Sequence, residues 1–389
     1  MKLLVRGAAL VAGAATALVL GSANIAAAAG PVGSLGPSLG HGQGHAVFVQ
    51  TDNPAGNQVI VLDAHSDGRL SEREVVSTGG LGAQASGSVV DHLASQGSLV
   101  FDAARRLLLA VNGGSGTLSV LSANGRNVSL QQVLNTGGEF PDSVAVYGNL
   151  VYVLNAGGTG SVTGYQIFGD HLFPLPRSSR SLGLNNSNPP NFLQSPGQVG
   201  FSADGADLLV TTKSSTNAVE VFPVGPGGQL SAAPTVTTDG SNVPFSFTFT
   251  PDNQLVLAEA GPSALHTFSL APGGALASLT GSLGDGQAAL CWVTAADGFY
   301  YVANAGSNTL SAYAVAASGT LSLVGPTGVV AATDAGPIDM AASASGPYLY
   351  GEAGGAGAVD EFQVNSDGSL SPLGSVAGLG AGIEGIATD

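Results

Sequence analysis

Apolar residues in this chain fall in short runs broken by polar or glycine-rich clusters, and no long stripe of helical period appears. Residues 150–154 and 161–167 form one pair of runs, and residues 299–303 and 309–315 form another. Tyr301, Leu310, Tyr313 and Val315 give the second pair the aromatic and branched content that strands favour. The breaks between runs read Asn155-Ala156-Gly157-Gly158 and Asn304-Ala305-Gly306-Ser307. A small turn leading to leucine follows each pair, ending at Leu70, Leu172, Leu230, Leu276, Leu321 and Leu370. Asn124-Gly125-Arg126, leading to Val128 and Leu130, is a looser copy. The Asp-Gly, Asn-Gly and Gly-Gly steps in these turns supply the positive φ that tight hairpins need.

A further short run opens each unit, often after proline: residues 141–146, 196–201, 244–249, 289–294 and 337–342. Each unit therefore holds four strands, and the turns recur roughly every 42 to 49 residues. Two spacings are longer, which places insertions near 79–95 and near 177–194. The 59 glycines and 20 prolines punctuate too densely for long helices. Seven four-stranded antiparallel units arranged around an axis make a β-propeller, so the predicted fold is all-β with seven blades. Residues 46–50 match the second strand of a unit and lack a first, whereas 382–387 match a first strand and lack the rest. Pairing the N- and C-terminal segments in one blade would close the ring and remove open sheet edges. A β-solenoid or two sandwiches are the alternatives.

The units resemble those of the lactonase-like propeller family, which includes 6-phosphogluconolactonase and carboxy-muconate cyclases. The likeness is carried by Phe201-Ser202-Ala203-Asp204-Gly205 with Leu209-Val210, by Phe249-Thr250-Pro251-Asp252-Asn253, and by Tyr301-Val302-Ala303-Asn304 with the Gly-x-Leu turns. It spans residues 46–389. The resemblance implies a small-molecule site in the central funnel and chemistry on a lactone. It also implies His or Arg directly after the blade-opening proline, but those slots hold Asp142, Gly197, Phe245 and Ile338. The family's catalytic set therefore does not transfer, and enzymatic activity is left open.

Charge and the N-terminus narrow the setting. Lys2 and Arg6 precede an apolar stretch over 8–21 and the small residues Ala26-Ala27-Ala28-Ala29, the order of a secretory signal. The expected organisation is a signal peptide over 1–29, a Gly/Pro-rich flexible leader over 30–44 and one propeller domain over 45–389. That stretch is shorter than the roughly 20 residues a membrane helix needs, so no stable insertion is expected after cleavage, and the protein is expected outside the cell or in its envelope. An uncleaved anchor is the alternative. The chain has 10 Lys plus Arg against 26 Asp plus Glu, a net charge of −16, two units more negative once Lys2 and Arg6 are removed. So acidic a surface repels phosphate backbones, and nucleic acid is not an expected partner. Arginine pairs occur only at Arg105-Arg106 and Arg177/Arg180, too few to grip a phosphorylated sugar. Cys291 is the only cysteine, so no intrachain disulfide can form, and its apolar neighbours suggest a buried small residue.

Aligning the opening strands sets Ser98, Ser143, Gln198, Ser246, Cys291, Asp339 and Glu384 in one column facing the channel. Asp339 and Glu384 come from neighbouring blades and are the candidate catalytic carboxylates, while Asp142, Gln198 and Ser246 would contact ligand. The alternative is a water-filled channel that simply tolerates polar residues, and a one-residue slip would turn the column away. The Asn-rich stretch 185–192 follows Arg177 and Arg180, and with Asn191 these could hold a carboxylate or sugar, or could form a self-satisfied lid. Asp91-His92 is a weaker acid–base candidate. Matches to a nucleophile elbow over 36–40 and to a dinucleotide fingerprint over 380–385 lack the helices those motifs need. The six histidines show no zinc-ligand spacing, so no metal and no organic cofactor is expected, although paired carboxylates could hold a divalent cation. Two functions remain: a lactonase-like propeller binding a small polar molecule in its funnel, or a non-catalytic binding or scaffold propeller of the cell envelope.

Overall fold

A computed structural model describes residues 45–389. The expected signal and leader lie outside the described residues. The regular structure of the described chain is strand, apart from two short 3-10 turns at Lys213–Ser215 and Pro226–Gly228. None of its helices is long and apolar enough to cross a membrane.

The strands form seven antiparallel sheets, each a meander of consecutive strands apart from the closing strand of blade 1. Blade 1 holds His45–Gln50, Gln58–Ala64 and Leu70–Ser77, with Ile386–Thr388 as its innermost strand. Blade 2 starts at Leu99–Asp102, blade 3 at Pro141–Tyr147, blade 4 at Gln198–Phe201, blade 5 at Pro244–Phe249, blade 6 at Leu290–Ala296 and blade 7 at Pro337–Ala342. Extra strands Arg180–Ser181 and Val329–Ala332 prolong the outer edges of blades 3 and 6, each beside the third strand. Neighbouring inner strands touch in cyclic order, and Ile386–Thr388 touches both blade 7 and blade 2. The ring is closed as expected: Val47, Phe48 and Val49 pair with Thr388, Ala387 and Ile386. Gln50 N also donates to the Gly385 carbonyl at 2.8 Å.

Buried apolar side chains gather in seven clusters, each dominated by residues of two adjacent blades. Sheets that stack face to face around a circle bury both of their faces, which explains the apolar runs in the second strands, such as fully buried Leu107–Asn112. The turn signature has a packing role. Gly368 has φ +83°, and a Cβ there would meet the Phe299 ring of blade 6 at 2.7 Å. The same turn's carbonyl accepts from Tyr301 Oη at 3.0 Å, and in blade 4 the Gly228 carbonyl accepts from Tyr152 Oη at 2.8 Å. Tyrosines on second strands thus tie blade 3 to the turn of blade 4 and blade 6 to that of blade 7.

Second strands often end in a buried asparagine that bridges to the third strand. Asn112 Nδ2 donates to Ser119 Oγ at 2.8 Å, and Asn304 Nδ2 to Ser311 Oγ at 3.0 Å. The Asn-led clusters seen in the sequence are therefore interior braces as well as turns.

Candidate functional site

The inner strands are irregular where the predicted column lies. Ladder register shifts occur between Pro141 and Ser143, Pro244 and Phe247, Leu290 and Trp292, and Pro337 and Met340. Bulges re-aim side chains, and these fall on or beside Asp142, Ser246, Cys291 and Asp339.

Most of that column stitches blade to blade. Ser143 Oγ donates to the Gln96 carbonyl at 2.7 Å, and Ser246 Oγ to the Cys291 carbonyl at 2.6 Å. Gln198 pairs with the Phe247 backbone through both ends of its amide, at 2.6 and 3.1 Å. Ser98 Oγ donates to the Glu384 carbonyl at 3.1 Å. These side chains are held by protein groups and are placed as braces.

The channel itself is crossed by the first insertion, the coil between Leu70–Ser77 and Leu99–Asp102. Ser95 Oγ lies 2.7 Å from the Asp142 carbonyl and 2.8 Å from Glu384 Oε1, and Leu93 N donates to Glu384 Oε2. Gly97 N approaches Asp339 Oδ2 at 3.4 Å, while Met340 N holds Oδ1 at 2.8 Å. On the far side, Gln96 exchanges two bonds of 3.0 Å with the Val293 backbone of blade 6. The single tryptophan, Trp292, donates to the Ser95 carbonyl at 3.0 Å. Both predicted catalytic carboxylates thus seat this insertion.

The second insertion joins the first. Ser86 N donates to the Pro190 carbonyl at 2.8 Å and Phe192 N to the Ser86 carbonyl at 3.1 Å. Lys213, fully buried, fastens both: its Nζ donates to the carbonyls of Ala94 and Phe192 and to Ser195 Oγ. All three ammonium protons are engaged, and Nζ lies 4.9 Å from the Phe245 ring centroid. Asn191 is a local brace: its carbonyl accepts from Gln194 N and Ser195 N, and its side chain accepts from Leu193 N at 3.0 Å. Half-buried Arg180 bonds the carbonyls of Leu230 and Ser231 at the outer edge of blades 3 and 4, and Arg177 is exposed beside it with φ +58°. Neither arginine lines the cavity described below.

Carboxylates crowd this interior. Burial pushes Asp52, Asp142, Glu352 and Glu384 well above their ordinary range, and Asp91 and Asp339 upward as well, Asp339 to about 7. The same burial lowers Lys213 to about 8, against the opposing pull of Asp91 and Asp142. Neither oxygen of Asp142 has a hydrogen-bond partner, and Asp52 keeps one unpartnered.

Between the two insertions and blades 4 to 6 lies a cavity of about 210 Å³. Its walls are apolar: Val89, Val90, Phe192, Val243, Phe245 and Trp292 are among them. Four residues with polar side chains line it: Ser88, Asp91, Lys213 and Cys291. Asp91 Oδ1 accepts from Ala94 N at 2.5 Å, and its carboxyl lies within hydrogen-bonding reach of the Glu384 carboxyl behind it. Burial pushes the Cys291 thiol up to about 12, so it meets the cavity as a neutral, weakly polar group. Burial lowers the pKa of neighbouring His92, and its Nδ1 has no partner. The sequence offered Asp91 only as half of an Asp–His pair; what marks it is its position on a coil that folds into the ring.

No protein-family model matches the chain, and no curated protein matches it in sequence. Solved structures do match in fold. The periplasmic gluconolactonase of Pseudomonas aeruginosa superposes with a TM-score of 0.67 at 17% identity, covering 88% of this chain and 98% of that one. A candidate 6-phosphogluconolactonase of Bacteroides fragilis gives a TM-score of 0.68 at 14% identity, over 91% and 100% of the two chains. A second such candidate, from Bacteroides uniformis, gives 0.65 at 17% identity, over 89% and 100%. At these identities the likeness is one of fold: the chain is a seven-bladed β-propeller of the architecture that these lactonase-type structures share.

Proposed function

We propose that the protein is an exported, lactonase-like propeller that takes a small uncharged lactone or ester into the cavity between its insertions and blades 4 to 6. Water attacks the carbonyl carbon as its proton passes to the Asp91 carboxylate. The ring C–O bond then breaks, and the departing alkoxide recovers that proton, giving a hydroxy acid. The observation that carries this reading is Asp91 in the wall of an otherwise apolar cavity, its carboxyl backed by that of Glu384. Burial raises Asp91, bringing it nearer the neutral range where a general base works best. A volume of about 210 Å³ suits a ligand somewhat larger than benzene. The expectation of a polar funnel ligand held by Asp142, Gln198, Ser246 and the arginines is accordingly revised. A phosphorylated lactone fits poorly, since Lys213 has no proton free for it.

A second reading is the non-catalytic envelope propeller, favoured by the channel side chains that hold the insertion and stitch the blades. Turnover of aliphatic and aryl lactones by the purified protein separates the two, with Trp292 emission reporting ligand entry. Asp91→Asn is expected to lower kcat by about 10²–10⁴-fold. Undiminished turnover in that variant would remove Asp91 from the chemistry. No turnover of any lactone by folded protein would leave the scaffold reading.

A further inference from the structure

A second polar cluster sits between blades 4 and 5, away from the cavity. Asp239 follows the last strand of blade 4, Thr235–Thr238. Glu259 ends the second strand of blade 5, Gln254–Glu259, and His266 lies on the third, Ala264–Leu270. One ligand-type atom from each of the three lies within 4.8 Å of the others. Glu259 is fully buried and His266 nearly so.

The hydrogen bonds place the histidine. Ser278 Oγ lies 3.0 Å from the Thr280 carbonyl and 2.6 Å from His266 Nε2. Nδ1 faces Glu259 Oε1, 2.7 Å away. Glu259 Oε2 is held by Ser282 Oγ. Asn242 holds Asp239 Oδ1 at 3.3 Å, and burial beside Glu259 raises Asp239 to about 7. Without a metal, a proton on Nδ1 and a proton shared by the two carboxyls satisfy the cluster. With the ring proton on Nε2, donated to Ser278, Nδ1 and the two carboxylates present three ligand atoms to one divalent cation.

We propose that Asp239, Glu259 and His266 bind one divalent transition-metal cation of the zinc class, leaving a fourth position for water. An imidazole nitrogen beside two carboxylates suits zinc better than calcium or magnesium, which take all-oxygen sets. The Ser278–Thr280 chain behind Nε2 is the outer support that orients a ligating histidine. Ser278 is thereby a positioning residue. The site is separate from the cavity, and neither reading depends on the other.

Chelator-treated full-length protein titrated with Zn²⁺ by calorimetry tests the assignment, with Co²⁺ absorption as a spectroscopic check. One equivalent is expected to bind, with His266→Gln and Asp239→Asn each weakening it by more than about 100-fold and Ser278→Ala by about 10–100-fold. Asp91→Asn should leave it unchanged, which keeps this result distinct from the fate of the lactonase reading. Circular dichroism establishes that each variant is folded, and the Co²⁺ spectrum of the unaltered protein stands if one is not. Absence of saturable one-equivalent binding would overturn the proposal. So would binding that survives in both His266→Gln and Asp239→Asn, or nitrogen NMR showing both His266 ring nitrogens protonated under excess Zn²⁺.

Discussion

Replacing Lys213 with methionine isolates what seats the two insertions. Methionine keeps the stem's apolar contacts and removes the ammonium. Three acceptors lose their donor: the Ala94 and Phe192 carbonyls and Ser195 Oγ. Hydrogen bonds to a charged group contribute about 1.5–3 kcal/mol each before desolvation is counted. Desolvation offsets much of that, as the depression of Lys213 to about 8 shows. Removing one partner from a buried charged set costs about 3–5 kcal/mol, because the groups left behind stay buried and unpaired. Asp91 and Asp142 also lose the positive charge that holds their own elevation in check. All three acceptors belong to the insertions, so the loss should appear as local opening of the plug before the blades unfold. Trp292, the only tryptophan, donates to Ser95 within that plug and packs on Phe245 with ring centroids 5.1 Å apart. Urea titration followed both by Trp292 emission and by far-UV circular dichroism reads the two events separately. In Lys213→Met the emission change is expected to shift to lower urea, ahead of the dichroism change, with new protease cleavage within 79–95. Coincident transitions displaced by less than about 0.5 kcal/mol would refute the claim that Lys213 fastens the insertions.

Two further outcomes follow from the same interior. Asp339, raised from 3.8 to about 7 by burial, binds a proton more tightly in the folded than in the unfolded chain. Its contribution, roughly 4 kcal/mol at most, is present below pH 4 and is lost as pH rises through about 7. Asp52, Asp142, Glu352 and Glu384 shift in the same direction, so thermal unfolding should occur at higher temperature at pH 5 than at pH 8, with Asp339→Asn narrowing the gap. Greater stability at pH 8 would show that these carboxylates are not desolvated as described. In Gly354→Ala the added Cβ would stand 2.2 Å from the Val90 carbonyl oxygen, a backbone atom of the first insertion. A loss of about 1–3 kcal/mol with altered Trp292 emission is expected; unchanged melting and emission would mean that the insertion does not rest on blade 7.

The blades were legible in the sequence because closure forces every unit to repeat the same solutions. The Gly-x-Leu turn recurs because a neighbouring blade leaves room only for hydrogen at Gly368 and Gly228. The terminal half-blades announced themselves because 46–50 lack an inner partner and 382–387 lack an outer one. The insertions follow no repeat, and their coil has no period to read. Nothing in residues 79–97 indicates that Ser95, Gln96 and Gly97 reach blades 1, 6 and 7, since those contacts are set by the ring's diameter and not by neighbours in sequence. The column of channel residues could therefore be found while its occupant could not. Once the insertion is in place, Glu384 and Asp339 have backbone partners, and Asp91 is the carboxyl-bearing residue left in the cavity wall.

The cluster on blade 5 shows how a repeat can disclose a site that spacing rules miss. In blades 2 and 6 the second strand ends in asparagine, and a serine seven positions later completes the brace: Asn112 with Ser119, and Asn304 with Ser311. Blade 5 sets Glu259 and His266 in those two slots at the same separation, 2.7 Å apart. A neutral donor–acceptor pair has become two titratable groups, in a setting where amide and hydroxyl would have sufficed for packing. Such an exchange raises the desolvation cost of the brace, so stability alone does not account for it. The third member, Asp239, arrives from blade 4 across the seam, 20 residues away, outside any linear zinc signature. A departure from the asparagine–serine brace of blades 2 and 6 was the available signal, and it points to a seam where three ligand-type atoms converge.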